Sequence, residues 1–151
     1  MSLTTVQPAM LTGTGKVVQV VNYTTSTTFS TSSSTYVSTG FGVSITPLFS
    51  NSKILILGRV PLGCPAGGNS VGAGVALYRG STALYTPLQY EEYIVASSAA
   101  PRWVLSLNWL DSPATTSSVS YNIYVASYQG NGTITVNETG PTSITLMEIA
   151  A

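Results

Sequence analysis

Histidine is absent from this 151-residue sequence, and cysteine occurs once, as Cys64. Without histidine there is no Ser-His-Asp or Cys-His nucleophile and none of the common His-bearing zinc sites. A lone thiol forms no intrachain disulfide. With no base beside it, Cys64 reads as a small buried hydrophobe, in keeping with synthesis and assembly in a reducing cytoplasm. Charge is also scarce, at 7% of residues against about 25% in an ordinary soluble domain. Lys16, Lys53, Arg59, Arg79 and Arg102 are scattered and the net charge is zero, so no basic stripe exists to grip nucleic acid. Glycoside hydrolysis needs two carboxylates across a sugar. Of the five acids, Glu91 and Glu92 are adjacent and on a strand point to opposite faces. Asp111, in Asp-Ser-Pro, reads as a turn-former bonding nearby backbone, and Glu138 sits beside a turn. No enzymatic activity is expected, and no catalytic residue, cofactor or metal. No apolar run reaches the roughly 20 residues of a membrane helix. The opening MSLTTVQPAM lacks the basic and apolar regions of a secretory signal. No membrane insertion is expected.

What the chain has is β-forming residues. Apolar residues make up 44%, and serine and threonine number 21 each. Threonine is β-branched and suits a strand, and hydroxyls desolvate more cheaply than charges. A surface poor in Lys and Glu also matches the centre of a protein interface. No window shows a 3.6-residue period, whereas period-two alternation recurs. Phe41, Val43 and Ile45 alternate with Gly42, Ser44 and Thr46, and after a turn at Pro47 and Ser50–Ser52 a second run, Ile54 to Leu57, is apolar throughout. The pair reads as strand, turn, strand. Further strands are expected at 16–23, 71–79, 82–86, 102–110, 118–128, 133–137 and 142–149, separated by Gly, Pro and Asn turns. In the segment from Arg102, Trp103 and Trp109 share the parity of Leu105 and Leu107 and are expected in the core. Residues 59–70, with Pro61, Gly63 and Pro65, read as an irregular loop. Together these predict one all-β antiparallel sandwich over 16–151, of about eight strands and jelly-roll-like. Residues 1–15 form an extended N-terminal arm, whose Leu3, Val6, Pro8, Met10 and Leu11 are expected to contact a partner.

Strands apolar on both faces need cover on both. Ile54 and Ile56, with Leu146 and Glu148 of the final strand, are the expected subunit interface, Glu148 pairing with Arg102 or Lys16 of a neighbour. Tyr85, Tyr90 and Tyr93 lie in irregular sequence beside Gln89, Glu91 and Glu92. Tyrosines in such a setting suit recognition of a protein or glycan receptor and equally suit plugging the end of the core.

Several short blocks carry a resemblance: Thr35-Tyr36-Val37 with Thr39-Gly40, then Val43 to Pro47, Ser52 to Leu55, Leu107 to Asp111 followed by Ser-Pro, and the ending Thr142 to Ile149. In this order, over residues 16 to 151, they resemble a β-rich module of tail-fibre and other virion surface proteins of tailed phages. The resemblance implies a virion structural protein, a homotrimer on the particle surface. Two placements follow. As a capsid decoration (cement) protein the chain would contact the major capsid protein and stabilise the shell. As a tail-fibre tip it would bind a host surface glycan or protein. The short arm before the first strand leads us to expect decoration.

Overall fold

The computed structural model describes residues 15–64, 70–87, 90–95 and 100–151. The expected arm residues Leu3, Val6, Pro8, Met10 and Leu11 lie outside the described residues. Eleven strands follow in order: β1 (Val17–Thr25), β2 (Phe29–Thr31), β3 (Val37–Ile45), β4 (Lys53–Gly63), β5 (Val71–Arg79), β6 (Thr82–Tyr85), β7 (Glu92–Ile94), β8 (Arg102–Asp111), β9 (Val119–Ser127), β10 (Ile134–Val136) and β11 (Thr142–Ile149). The protein is an all-β sandwich of two antiparallel sheets. Sheet A runs β1-β11-β4-β8, with β10 and β2 continuing along β4 beyond the end of β11. Sheet B runs β3-β9-β5, with β6 and β7 along the far side of β5. The count exceeds eight in part because β2 and β7 are three-residue strands, too short to alternate visibly in sequence.

Two expected turns prove to be crossings between sheets. β3 and β4 do not form a hairpin: β3 pairs with β9 in sheet B, and β4 with β11 and β8 in sheet A. The connection is held by Glu148, whose Oε1 accepts the backbone N–H groups of Leu48 (2.8 Å) and Phe49 (3.2 Å). Likewise β9 and β10, separated by Gly130-Asn131-Gly132, lie in different sheets. Residues 59–63 are strand rather than loop, despite Pro61. The Pro61 carbonyl accepts the Asn137 N–H (2.9 Å). In a strand a residue's N–H and C=O point the same way, so the donor that proline lacks falls between β11, which pairs with β4 only through Arg59, and β10, which starts at Leu62. A proline is tolerated where the ladder is already interrupted.

The core lies between the sheets. Sheet A contributes Ile54, Ile56, Val60, Leu62, Leu105, Leu107, Ile144 and Leu146, and sheet B contributes Phe41, Ile45, Val75, Leu77, Tyr121, Ile123 and Val125. Ile54, Ile56, Leu146 and Glu148, expected at a subunit interface, have no exposed surface and face this core. Period two separates the faces of a strand but does not say which one meets the other sheet of the same chain. Glu148 therefore pairs with no neighbour: its carboxylate also accepts Gln19 Nε2 (3.0 Å), and Arg102 pairs instead with Glu138 (2.5 Å). Asp111 is not a turn-former either. It accepts Arg79 of β5 (2.8 Å) and the Tyr121 hydroxyl of β9 (2.8 Å), joining the two sheets. Burial first, and this hydrogen bond second, push the Tyr121 phenol well above its usual pKa.

The outer faces of the sheets differ in kind. Sheet B presents Ser38, Ser44, Ser120 and Asn122 with the stacked rings of Tyr78 and Tyr124. Tyr36 lies over Gly74, where any side chain would overlap the Tyr36 hydroxyl. Sheet A presents aliphatic residues with Asn and Thr between them. Trp109, expected in the core, is 37% exposed at the sandwich edge.

Candidate functional site

The aromatic cluster is set by a glycine. At Gly72 of β5 a Cβ would sit 2.6 Å from the Glu92 carbonyl, 3.2 Å from Tyr128 Cβ and 3.4 Å from the Tyr93 ring. Without a side chain there, Tyr93 on β7 and Tyr128 at the end of β9 close together over the strand. Their ring centroids are 4.7 Å apart, and Tyr90 meets Tyr128 edge-on at 5.1 Å. Such tilted and T-shaped pairs suit the ring quadrupoles. The chain leaves β9 through a single 3-10 turn, Tyr128–Gly130, in which Gln129 adopts φ 46° and ψ 19°. That left-handed backbone aims the Gln129 N–H at the Tyr90 hydroxyl (3.2 Å). A non-Gly residue with positive φ in a cleft is a pointer to function.

Tyr90, Tyr93, Tyr128 and Gln129 line a cleft of about 450 Å³, inside the range of small-ligand sites. Tyr93 is 46% exposed. Hydrogen bonding with Tyr93 raises the Tyr128 pKa. Among the described residues, the lining holds no charged group. Three rings, their hydroxyls and one amide suit a neutral ligand with an apolar face and polar edges, such as a sugar ring. They do not suit a phosphate or a carboxylate. The cleft holds no nucleophile with a base beside it.

Tyr85 does not join this cluster. Its hydroxyl donates to Glu91 Oε1 (2.8 Å), which raises its pKa, and its ring lies 6.0 Å from Trp109. Glu91 Oε2 accepts the Val75 N–H (3.0 Å), so Tyr85 and Glu91 fill the gap along β5 between its pairing with β7 and its pairing with β6. Tyr128 and Gln129 are the members of the cleft that sequence reasoning passes over. Tyr128 reads as one more residue of an alternating strand, and the strained turn after it leaves no periodic trace. Cys64 is buried, and desolvation raises its pKa, so it is an inert core thiol. Among the described residues, no three Cys, Asp or Glu come together where a metal could sit.

No family model matches the sequence, and no curated protein matches it. Solved structures do share the fold. The chain aligns over its whole length with a chain of the T13 IBDV viral particle (TM-score 0.50, 13% identity) and covers 40% of that chain. It aligns over 99% of its length with a mutant VP2 protein of infectious bursal disease virus in derived T=1 particles (TM-score 0.50, 12% identity) and covers 41% of that chain. The chain thus spans about two fifths of the length of these chains, and at this identity the likeness is one of fold: an antiparallel β-sandwich.

Proposed function

We propose that this chain is a non-enzymatic structural protein of a phage particle, assembling as a homotrimer on the virion surface and acting as a capsid decoration protein. The observation that carries the reading is the pairing of a jelly-roll-like sandwich with a sheet face that turns aliphatic side chains outward, while the carboxylate at its Gly63 end, Glu138, is paired with Arg102. A domain that lives in bulk solvent keeps such faces small, whereas a permanently assembled one has a use for them. The sandwich shared with IBDV particle proteins and the phage resemblance of the sequence blocks support the same reading. With so few charges, assembly would depend only weakly on salt. The N-terminal residues Leu3, Val6, Pro8, Met10 and Leu11 are the proposed contact with the major capsid protein.

A second reading has an observation of its own. The uncharged cleft of Tyr90, Tyr93 and Tyr128 would serve a receptor-binding module at a tail-fibre tip, its ligand a host surface glycan. The deciding measurement is copy number per purified virion, by quantitative mass spectrometry against the major capsid protein. We expect a count of the order of the capsid protein's own. A few tens of copies would overturn decoration in favour of the fibre tip, and absence from virions would overturn both.

A further inference from the structure

Four strands of sheet A bring four aliphatic side chains into one row on the face turned away from the core. Val20 of β1 stands opposite Met147 of β11, Met147 opposite Leu55 of β4, and Leu55 opposite Leu110 of β8. No register shift interrupts this part of the ladder, so the row runs straight across the sheet. Val20 is 57% exposed and Leu110 49%, and Leu55 and Met147 between them are partly exposed. On one side the row is widened by Val17 beside Ile149, and on the other by Leu57, 37% exposed, between Thr145 and Asn108.

The charges on this face sit at its margins. Lys53 lies beside Ile149, and Arg59 lies beside Ser143 and donates to the Pro141 carbonyl (2.8 Å). Of the nearby acids, Glu148 and Asp111 face inward, and Glu138 lies over Gly63, at the end of β4 away from Leu55, where it is paired with Arg102. The opposite face of the molecule, on sheet B, is built from Ser, Asn and Tyr, and its central Ala76 is fully buried. Among the described residues, sheet A alone turns aliphatic side chains outward in a connected band.

The borders of that face are open as well. β8 pairs with β4 through ten consecutive residue pairs without a bulge, and no other strand pairs with it among the described residues. It carries no proline, and its one cation, Arg102, is at its end. Such an edge lacks the usual devices against pairing with another chain. β1 is the other end of the row. Four strands spaced about 4.8 Å apart and ten residues long present a plane of roughly 600 Å². With side-chain relief this approaches the ~800 Å² per partner of a standard stable interface.

We infer that the outer face of sheet A, centred on Val20, Leu55, Leu110 and Met147, is the surface through which copies of this chain pack against one another. The inference rests on the assembly reading above and names the surface that performs it. The occupant is a second copy because both sides then contribute the same uncharged, aliphatic row, and neither must supply a partner for a charge. A closed rotational arrangement buries every copy of the face and leaves no open end, which an unprotected edge otherwise invites. A wholly acidic partner would use Lys53 and Arg59 but leave the aliphatic row unmatched.

The test uses the full chain and sedimentation velocity with light scattering. An added cation at the row has no carboxylate to meet, so Val20→Lys with Leu110→Lys should convert the wild-type trimer to monomer, weakening association at least 100-fold. Ser44→Lys, exposed on the outer face of sheet B, should leave the trimer unchanged. A wild-type oligomer that survives the double substitution would overturn this surface while leaving assembly standing. A wild-type chain that is monomeric at 100 µM would overturn assembly itself. Should the double variant fail to fold, Leu110→Cys with a short bis-maleimide decides the matter, because the native Cys64 is buried. Cross-linked oligomers are expected, and a purely monomeric product from an oligomeric sample would refute the assignment.

Discussion

Removing the Glu148 carboxylate tests the packing of the two sheets most directly. Glu148 is fully buried and has no cation beside it. Its three partners are the N–H groups of Leu48 and Phe49, in the crossing from β3 to β4, and the Gln19 amide on β1. Glu148→Ala strands these donors. A hydrogen bond to a charged group is worth about 1.5–3 kcal/mol, and a buried donor left unpaired costs about 1–3 kcal/mol. Gln19 recovers part of this, because it also donates to the Thr46 carbonyl (3.1 Å) and reaches water. The expected loss is therefore about 3–4 kcal/mol, or roughly 10 °C in Tm for a domain this size. Glu148→Gln keeps one acceptor for the crossing but turns an amide N–H₂ toward Gln19, donor against donor. We expect about 1–2 kcal/mol there. Urea unfolding with unchanged m-values gives both numbers. An alanine variant within 1 kcal/mol of wild type would refute the claim that this carboxylate anchors the crossing.

Alkaline pH should destabilise the fold through Tyr121. Its folded pKa is raised, so the unfolded chain loses the proton first, near pH 10. Stability is intact below that pH and falls above it, by up to about 1.4 kcal/mol per pH unit for this group. Tyr121→Phe should lower stability at pH 7 by about 1–2 kcal/mol, because the hydrogen bond to Asp111 is lost, and should flatten the slope seen in urea midpoints between pH 10 and 12. Arg79→Leu leaves Asp111 buried with only the Tyr121 hydroxyl, and we expect a loss of about 2–3 kcal/mol, measured the same way at pH 7. Gly74→Ala drives a methyl into the Tyr36 hydroxyl and should cost about 1–3 kcal/mol. At the cleft, Tyr93→Ala should abolish binding to any neutral glycan that wild type retains on an array, with thermal stability within about 1 kcal/mol of wild type because Tyr93 is half exposed.

The strands from Lys53, Val71, Arg102 and Thr142 were legible because their alternation is long and their turns are marked by Gly, Pro and Asn. β2 and β7 were not, since three residues cannot display a period. The cleft was half legible: Tyr90 and Tyr93 stand out beside Glu91 and Glu92, but Tyr128 is brought to them by the pairing of β5 with both β7 and β9. The sequence by itself determined the fold class and excluded histidine-dependent chemistry, because composition and local alternation are properties of the chain alone. Tertiary structure decided which face of each strand points inward, that Ile54 and Leu146 are core, and that the run before Lys53 crosses between sheets rather than forming a hairpin. The physical reason is sequence distance. Glu148 meets its partners 100 and 129 residues away, and contacts of that span are created only when the two sheets close on each other.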